Sequence, residues 1–202
     1  MLDTSGSMRG EPIESVRVGM SALTTSLRRN PYALETVWLS VITYDLEAKV
    51  LVPMCELEDF SLPEIPVPQT SPTNLGAALE LLFKRYRLEV QLSTPDRKGD
   101  WLPILVVMTD GAPSDTYAFK QAVQRLKEFR FARIICCAAG PKAKVEPLKQ
   151  LAKDVYALET MDAATFSKFW DWVSATVNTQ SQSGSGRLDE LPPPPEEIKI
   201  VH

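Results

Sequence analysis

The stretch "ILVVMTDG" at residues 104–111 decides the architecture: five apolar residues run without a break into Thr109, Asp110 and Gly111. A strand covered on one face alternates apolar with polar residues, whereas a strand buried on both faces reads as a continuous apolar run, the pattern of a parallel sheet between helices. Such a strand delivers polar side chains to the loop at its carboxyl end, where open α/β sheets bind their ligands. Asp110 stands at that position.

Outward from this strand the pattern repeats. Upstream, Leu75, Ala78, Leu79, Leu82, Phe83, Tyr86 and Val90 fall at helical spacing, and downstream Ala118, Ala122, Leu126 and Phe129 do the same. Then come a strand in "RIICCAAG" (133–140), a short helix in "VEPLKQLAK" (145–153), a strand in "VYAL" (155–158) and a last helix striped by Phe166, Phe169, Trp170, Val173 and Val177. Toward the amino end, Ile13, Val16, Met20, Leu23 and Leu27 predict a helix over 12–29. "ETVWLSVITYD" (35–45) predicts a strand covered on both faces, and "AKVLVP" (48–53) its neighbour across a hairpin turn at 45–47. Strands alternating with helices predict an α/β fold, a doubly wound, mostly parallel central sheet with helices on both faces. The proline-rich, acidic stretch 53–73 has no period and reads as an irregular surface excursion ending at Thr73. The expected division is a folded domain over 1–177 and, over 178–202, a flexible Ser/Gly linker with polyproline and a short extended tail, "EEIKIVH".

Composition narrows the function. A net charge of −4 supplies no basic field for nucleic acid, and no apolar run approaches the ~20 residues that span a membrane. Cys55, Cys136 and Cys137 form neither a disulfide framework nor a zinc pattern, and with no secretory signal at the start a cytoplasmic location is expected. The single histidine, His202, leaves Ser-His, Cys-His and histidine-metal chemistry without an internal residue.

Three loops carry hard oxygen donors: Asp3, Ser5 and Ser7 in "MLDTSGSM" (1–8), Thr73 in "SPTNLG" (71–76), and Asp110. Taken alone, the first loop suits a metal, a nucleophile or a helix cap. All three together suit Mg2+, which takes near-octahedral oxygen coordination and retains waters. Two carboxylates balance the ion's charge and the hydroxyls add none, which leaves it electrophilic enough to accept a partner's carboxylate.

"DTSGS", "PTNLGAAL" and "VMTDG" resemble the metal-ion-dependent adhesion site of the von Willebrand factor type A domain family, a resemblance that covers roughly residues 1–177. It implies that Ser5, Ser7 and Thr73 lie close to the metal, with Asp3 and Asp110 holding it directly or through water. Within the family, "LDTSGSMRGEPIESV", "PYALETVW", "KGDW", "MTDGAPSD" and "CAAGPKAK" are most similar to the bacterial tellurium-resistance, TerY-like branch. That branch implies a cytoplasmic stress-response adaptor associated with a protein phosphatase and a kinase. The expectation is a non-catalytic protein-binding module dependent on Mg2+, or on Mn2+ or Ca2+, whose partner offers the metal a carboxylate. The competing reading is a haloacid-dehalogenase-like phosphatase with Asp3 as nucleophile. It needs a second acid two residues on, where this chain has Ser5, and a downstream Gly-Asp-x-x-x-Asp pair, which it lacks.

Other residues draw plainer readings. Asp115 is expected to cap the helix it precedes, the alternative being an acid that supports the metal ligands from behind, Cys136 and Cys137 to be core, Lys142, Lys144, Lys149 and Lys153 to be solvated, and Trp101 and Trp170 to pack. One oddity stands out: only Met1 and Leu2 precede Asp3, fewer than half the residues of a typical strand. Ile198, Ile200 and Val201 offer a β-prone tail that can join a sheet, in this molecule or a neighbour. Filling the place below Asp3 is hindered by Lys199, so the preferred expectation is that residues ahead of Met1 occupy that place and the tail stays mobile or binds a partner.

Overall fold

The computed structural model describes residues 1–183 and 192–202. Its strands are β1 (Leu2–Asp3), β2 (Trp38–Tyr44), β3 (Ala48–Glu56), β4 (Ile104–Thr109), β5 (Arg133–Ala139), β6 (Val155–Leu158) and β7 (Ile198–Val201). The helices are α1 (Glu11–Arg28), α2 (Pro31–Thr36), α3 (Leu75–Glu89), α4 (Thr116–Leu126), α5 (Val145–Lys149) and α6 (Ala163–Ser183). The strands form a single sheet in the order β3-β2-β1-β4-β5-β6-β7. β2, β1, β4, β5 and β6 run parallel, and β3 and β7 close the edges antiparallel. This is the expected mostly parallel sheet between helical layers.

Side-chain alternation divides the core in two. On β5, Ile135, Cys137 and Ala139 join the layer beneath α1, α2 and α6, while Cys136 and Ala138 join the layer beneath α3, α4 and α5. Helices α1 and α6 lie so close that a Cβ on Gly19 would strike the indole of Trp170. Both cysteines are buried, and burial pushes the Cys136 thiol up to about 12, so they are packing residues with no thiolate at neutral pH.

Three features depart from the sequence reading. The strand expected over 35–45 begins only at Trp38, because residues 31–36 form α2, with Asn30 accepting a hydrogen bond from the Tyr32 N–H and Pro31 at the first helical position. The last helix continues past Val177 to Ser183, its apolar stripe replaced by a polar anchor: Gln180 is buried and its Nε2 donates to the Leu102 carbonyl, 3.0 Å away. The tail joins the sheet as β7 against β6, with Ile198 buried and Lys199 paired with Glu159 at the surface. The slot below β1 therefore does not receive it, since an edge lets Lys199 reach water and the slot would not. The Ser/Gly part of the expected linker lies outside the described residues.

That slot is real. β1 meets β2 only at Leu2↔Thr43 and Asp3↔Tyr44, and β4 only at Leu2↔Met108. β2 reaches back to Trp38 and β4 to Ile104, and between their lower halves lies a cavity of about 730 Å3 lined by Met1, Leu39, Tyr86, Trp101, Val106 and Trp170, among others. The Met1 amine caps it by donating to the Val106 carbonyl at 2.7 Å, and burial pushes this amine down to about 5.

Candidate metal centre

β1 and β4 are adjacent and parallel, so their carboxyl ends place Asp3 and Asp110 side by side although 107 positions separate them in sequence. Both are nearly inaccessible, and neither takes part in an ion pair among the described residues. Two buried acids without a counter-cation are costly to ionise. Burial, with a smaller contribution from Asp110, pushes the Asp3 carboxyl up to about 6, against the lowering effect of its hydrogen bonds.

Hydroxyls link the two acids. The Ser5 N–H donates to Asp3 Oδ1 at 2.8 Å, the Ser5 and Ser7 Oγ atoms lie 3.3 Å apart, and Ser7 Oγ donates to Asp110 Oδ1 at 2.9 Å. None of these side chains caps a helix. Ser5 precedes a single 3-10 turn (Gly6–Met8) without a capping bond, and the N-cap of α1 is Gly10, whose φ of 87° suits glycine. The capping explanation of "DTSGS" is thus set aside by the geometry.

Thr73 arrives from the second loop. Its hydroxyl lies 3.6 Å from where a Cβ on Gly111 would stand, next to Asp110. That is ordinary contact distance, so the Thr73 hydroxyl stands against the Asp110 turn. All five residues singled out from the sequence, Asp3, Ser5, Ser7, Thr73 and Asp110, therefore gather at one end of the sheet. Their donors are hard oxygens with two negative charges among them, a set that fits Mg2+ and suits neither soft metals nor a redox centre.

Two participants escaped the sequence reading. Thr109, the last residue of β4, donates from Oγ1 to Asp3 Oδ2 at 2.5 Å and accepts from the Gly111 N–H at 3.1 Å. It therefore orients the acid of the neighbouring strand, and its position directly before Asp110 was the only available signal. Gly6 is the second: a Cβ there would stand 2.9 Å from the Gln69 carbonyl oxygen, so the end of the proline-rich excursion rests directly on the first loop. Asp115 corrects an expectation. It makes no side-chain bond to α4, which it precedes, and reaches α3 instead.

The von Willebrand factor type A domain profile matches residues 1–171. No curated protein matches the chain. Among solved structures, a von Willebrand factor type A protein from Catenulispora acidiphila is similar with a TM-score of 0.63 at 15% identity, over 88% of this chain and 41% of that one. Proximal thread matrix protein 1 of the mussel byssus gives 0.59 at 16% identity, over 86% and 46%. The ArnB paralog from Sulfolobus acidocaldarius gives 0.56 at 16%, over 87% and 43%. The chain thus spans less than half the length of these three relatives, and at such identities the likeness is one of fold.

Proposed function

The chain belongs to the von Willebrand factor type A domain family, and from that premise we propose that it is a non-catalytic protein-binding module that captures its partner through a divalent cation. The cation is Mg2+, with Mn2+ and Ca2+ as the competing ions, held by Asp3, Ser5, Ser7, Thr73 and Asp110. The observation that carries this reading is the pair of buried carboxylates, Asp3 and Asp110, joined through Ser5 and Ser7 and in no ion pair among the described residues. A bound divalent ion would supply that missing charge and offer an open position to a carboxylate oxygen of the partner. Asp3 and Asp110 bring the negative charge, the three hydroxyls bring neutral donors, and Thr109 and the Ser5 N–H orient Asp3.

A phosphoryl-transfer reading is disfavoured by Ser5, which stands where a general acid would be needed and whose hydroxyl faces Ser7. The wider setting we propose, a cytoplasmic adaptor in a bacterial stress-response or tellurium-resistance system working with a phosphatase and a kinase, rests on the sequence resemblance alone.

The test is capture from native lysate on the immobilised protein with Mg2+ and with chelator, alongside Asp3→Ala and Asp110→Ala. Partners retained only with Mg2+ and lost from both folded variants support the reading. Equal capture in all four conditions overturns it. Calorimetric titration with Mg2+, Mn2+ and Ca2+ ranks the ions.

A further inference from the structure

Thr73 is the only member of the set that lies neither on β1 nor in a loop that directly follows β1 or β4, and it stands near the end of a stretch of chain, 57–74, that contains no helix or strand. A hydroxyl on such a segment needs an external hold to keep its place. The structure provides one. The Thr73 N–H donates to Ser114 Oγ at 3.0 Å, and the Ser114 N–H donates back to the Thr73 carbonyl at 2.8 Å. Next to Ser114, Asp115 Oδ1 accepts from the Gly76 N–H at 3.1 Å and Oδ2 from the Ala77 N–H at 2.8 Å.

The first amides of α3 are therefore satisfied by a carboxylate from another loop. Asn74, which precedes α3, makes no capping bond and instead donates from Nδ2 to the Leu46 carbonyl. A carboxylate at a helix amino end gains from the helix dipole and from charge-assisted bonds. The close approach also requires Gly76: a Cβ there would stand 2.8 Å from Asp115 Oδ2 and closer still to the backbone of Phe119. Ser114 and Asp115 lie on the same turn as Asp110, so one short segment carries a proposed ligand and grips the segment that carries another.

We infer that Ser114 and Asp115 are positioning residues for the metal: they fasten the Thr73 turn to the Asp110 turn and set the spacing of the two ligands before the ion arrives. The inference rests on the metal-binding reading proposed above. Neither residue is itself a ligand in that reading. Without the clamp, ordering of the 57–74 segment would fall on the binding step and weaken it, because an ion gains affinity from ligands that are already in place.

The test uses Asp115→Ala, Asp115→Asn and Ser114→Ala in the full chain. It compares Mg2+ affinity by calorimetry, thermal midpoint in chelator, and amide exchange at Gly76 and Ala77. Asp115→Ala is expected to speed exchange at those two amides and to weaken Mg2+ by about tenfold or more. Asp115→Asn keeps one acceptor oxygen and should recover part of both effects. Faster exchange with unchanged Mg2+ affinity overturns the inference and leaves Asp115 as a helix cap only. Should Asp115→Ala fail to fold, Ser114→Ala decides by the same affinity criterion. A wild-type chain that takes up no Mg2+ removes the metal reading and this inference together, whereas loss confined to the variants bears on the clamp alone.

Discussion

Ser7 Oγ donates to Asp110 Oδ1 at 2.9 Å, a bond between two loops 103 positions apart that exists only because β1 and β4 are neighbours in the sheet. Ser7 is exposed while Asp110 is buried, so the serine forms the lid side of the pair. Ser7→Ala is expected to leave the unfolding free energy within about 0.5 kcal/mol of wild type, as an exposed change does, yet to weaken Mg2+ binding measurably. Calorimetry showing wild-type affinity for the variant would remove Ser7 from the ligand set.

Asp3 sets a conflict between stability and binding. Its folded carboxyl sits at about 6 against 3.8 for the free group, so the folded state holds this proton more tightly than the unfolded chain. The metal-free protein is therefore unpenalised below about pH 4 and loses stability as the pH rises to about 6, reaching a cost of order 3 kcal/mol. Asp3→Asn should raise the thermal midpoint in chelator at pH 7.5 while abolishing Mg2+ uptake, with Thr109 turning its hydroxyl from donor to acceptor. The Met1 amine runs the other way, since its folded value is lowered to about 5 and its contribution grows as the pH rises toward 8. Subtracting the variant's pH profile from that of wild type cancels the amine. A flat difference between pH 4 and 6 would contradict the assignment to Asp3.

Gly6 ties the proline-rich excursion to the site. A Cβ at residue 6 would stand 2.9 Å from the Gln69 carbonyl oxygen and 3.0 Å from the Thr70 Cα, both main-chain atoms that cannot swing aside. Gly6→Ala should displace the 69–71 segment and lower both Mg2+ affinity and partner capture. Unchanged capture would mean that the excursion is a connector and forms no part of the rim.

The cavity below β1 has room for more strand. Five consecutive apolar residues joined ahead of Met1 would extend β1 between the lower halves of β2 and β4, covered on both faces, and remove the buried amine. The expected result is a rise in thermal midpoint of several degrees, at roughly 2–4 °C per kcal/mol for a chain of this size. An equal midpoint, measured by circular dichroism, would show that the strand does not enter.

Removal of residues 192–202 tests the tail. It takes away β7, the buried Ile198 and the Pro192 carbonyl to which Trp172 Nε1 donates at 2.7 Å, and it bares the edge of β6. We expect a fall of several degrees and greater self-association, as exposed edges pair with other chains. A midpoint and a sedimentation profile identical to those of the full chain would reduce the tail to an ornament.

Much of this molecule is legible in its residues. Continuous apolar runs ending in polar turns specify buried parallel strands, helical stripes specify their covering layers, and "DTSGS", Thr73 and Asp110 mark the gathering point, because hydrophobic period and residue type are local properties. What escaped the reading is not local. Asn30 and Pro31 open a helix that takes Glu35 and Thr36 from the start of a stretch that reads as strand, since a cap and one turn outweigh β propensity there. Asp115 looked like a cap for its own helix and caps α3, because only the packed arrangement brings Gly76 and Ala77 within its reach. The grip of Thr109 on Asp3, the contact of Gly6 with Gln69, and the choice of the β6 edge over the β1 slot by the tail all follow from which strands become neighbours. The residues alone determined the layered sheet and the five oxygen donors. Strand order decided which of them meet and which side chains hold them there, because contacts between distant segments exist only after the sheet has closed around them.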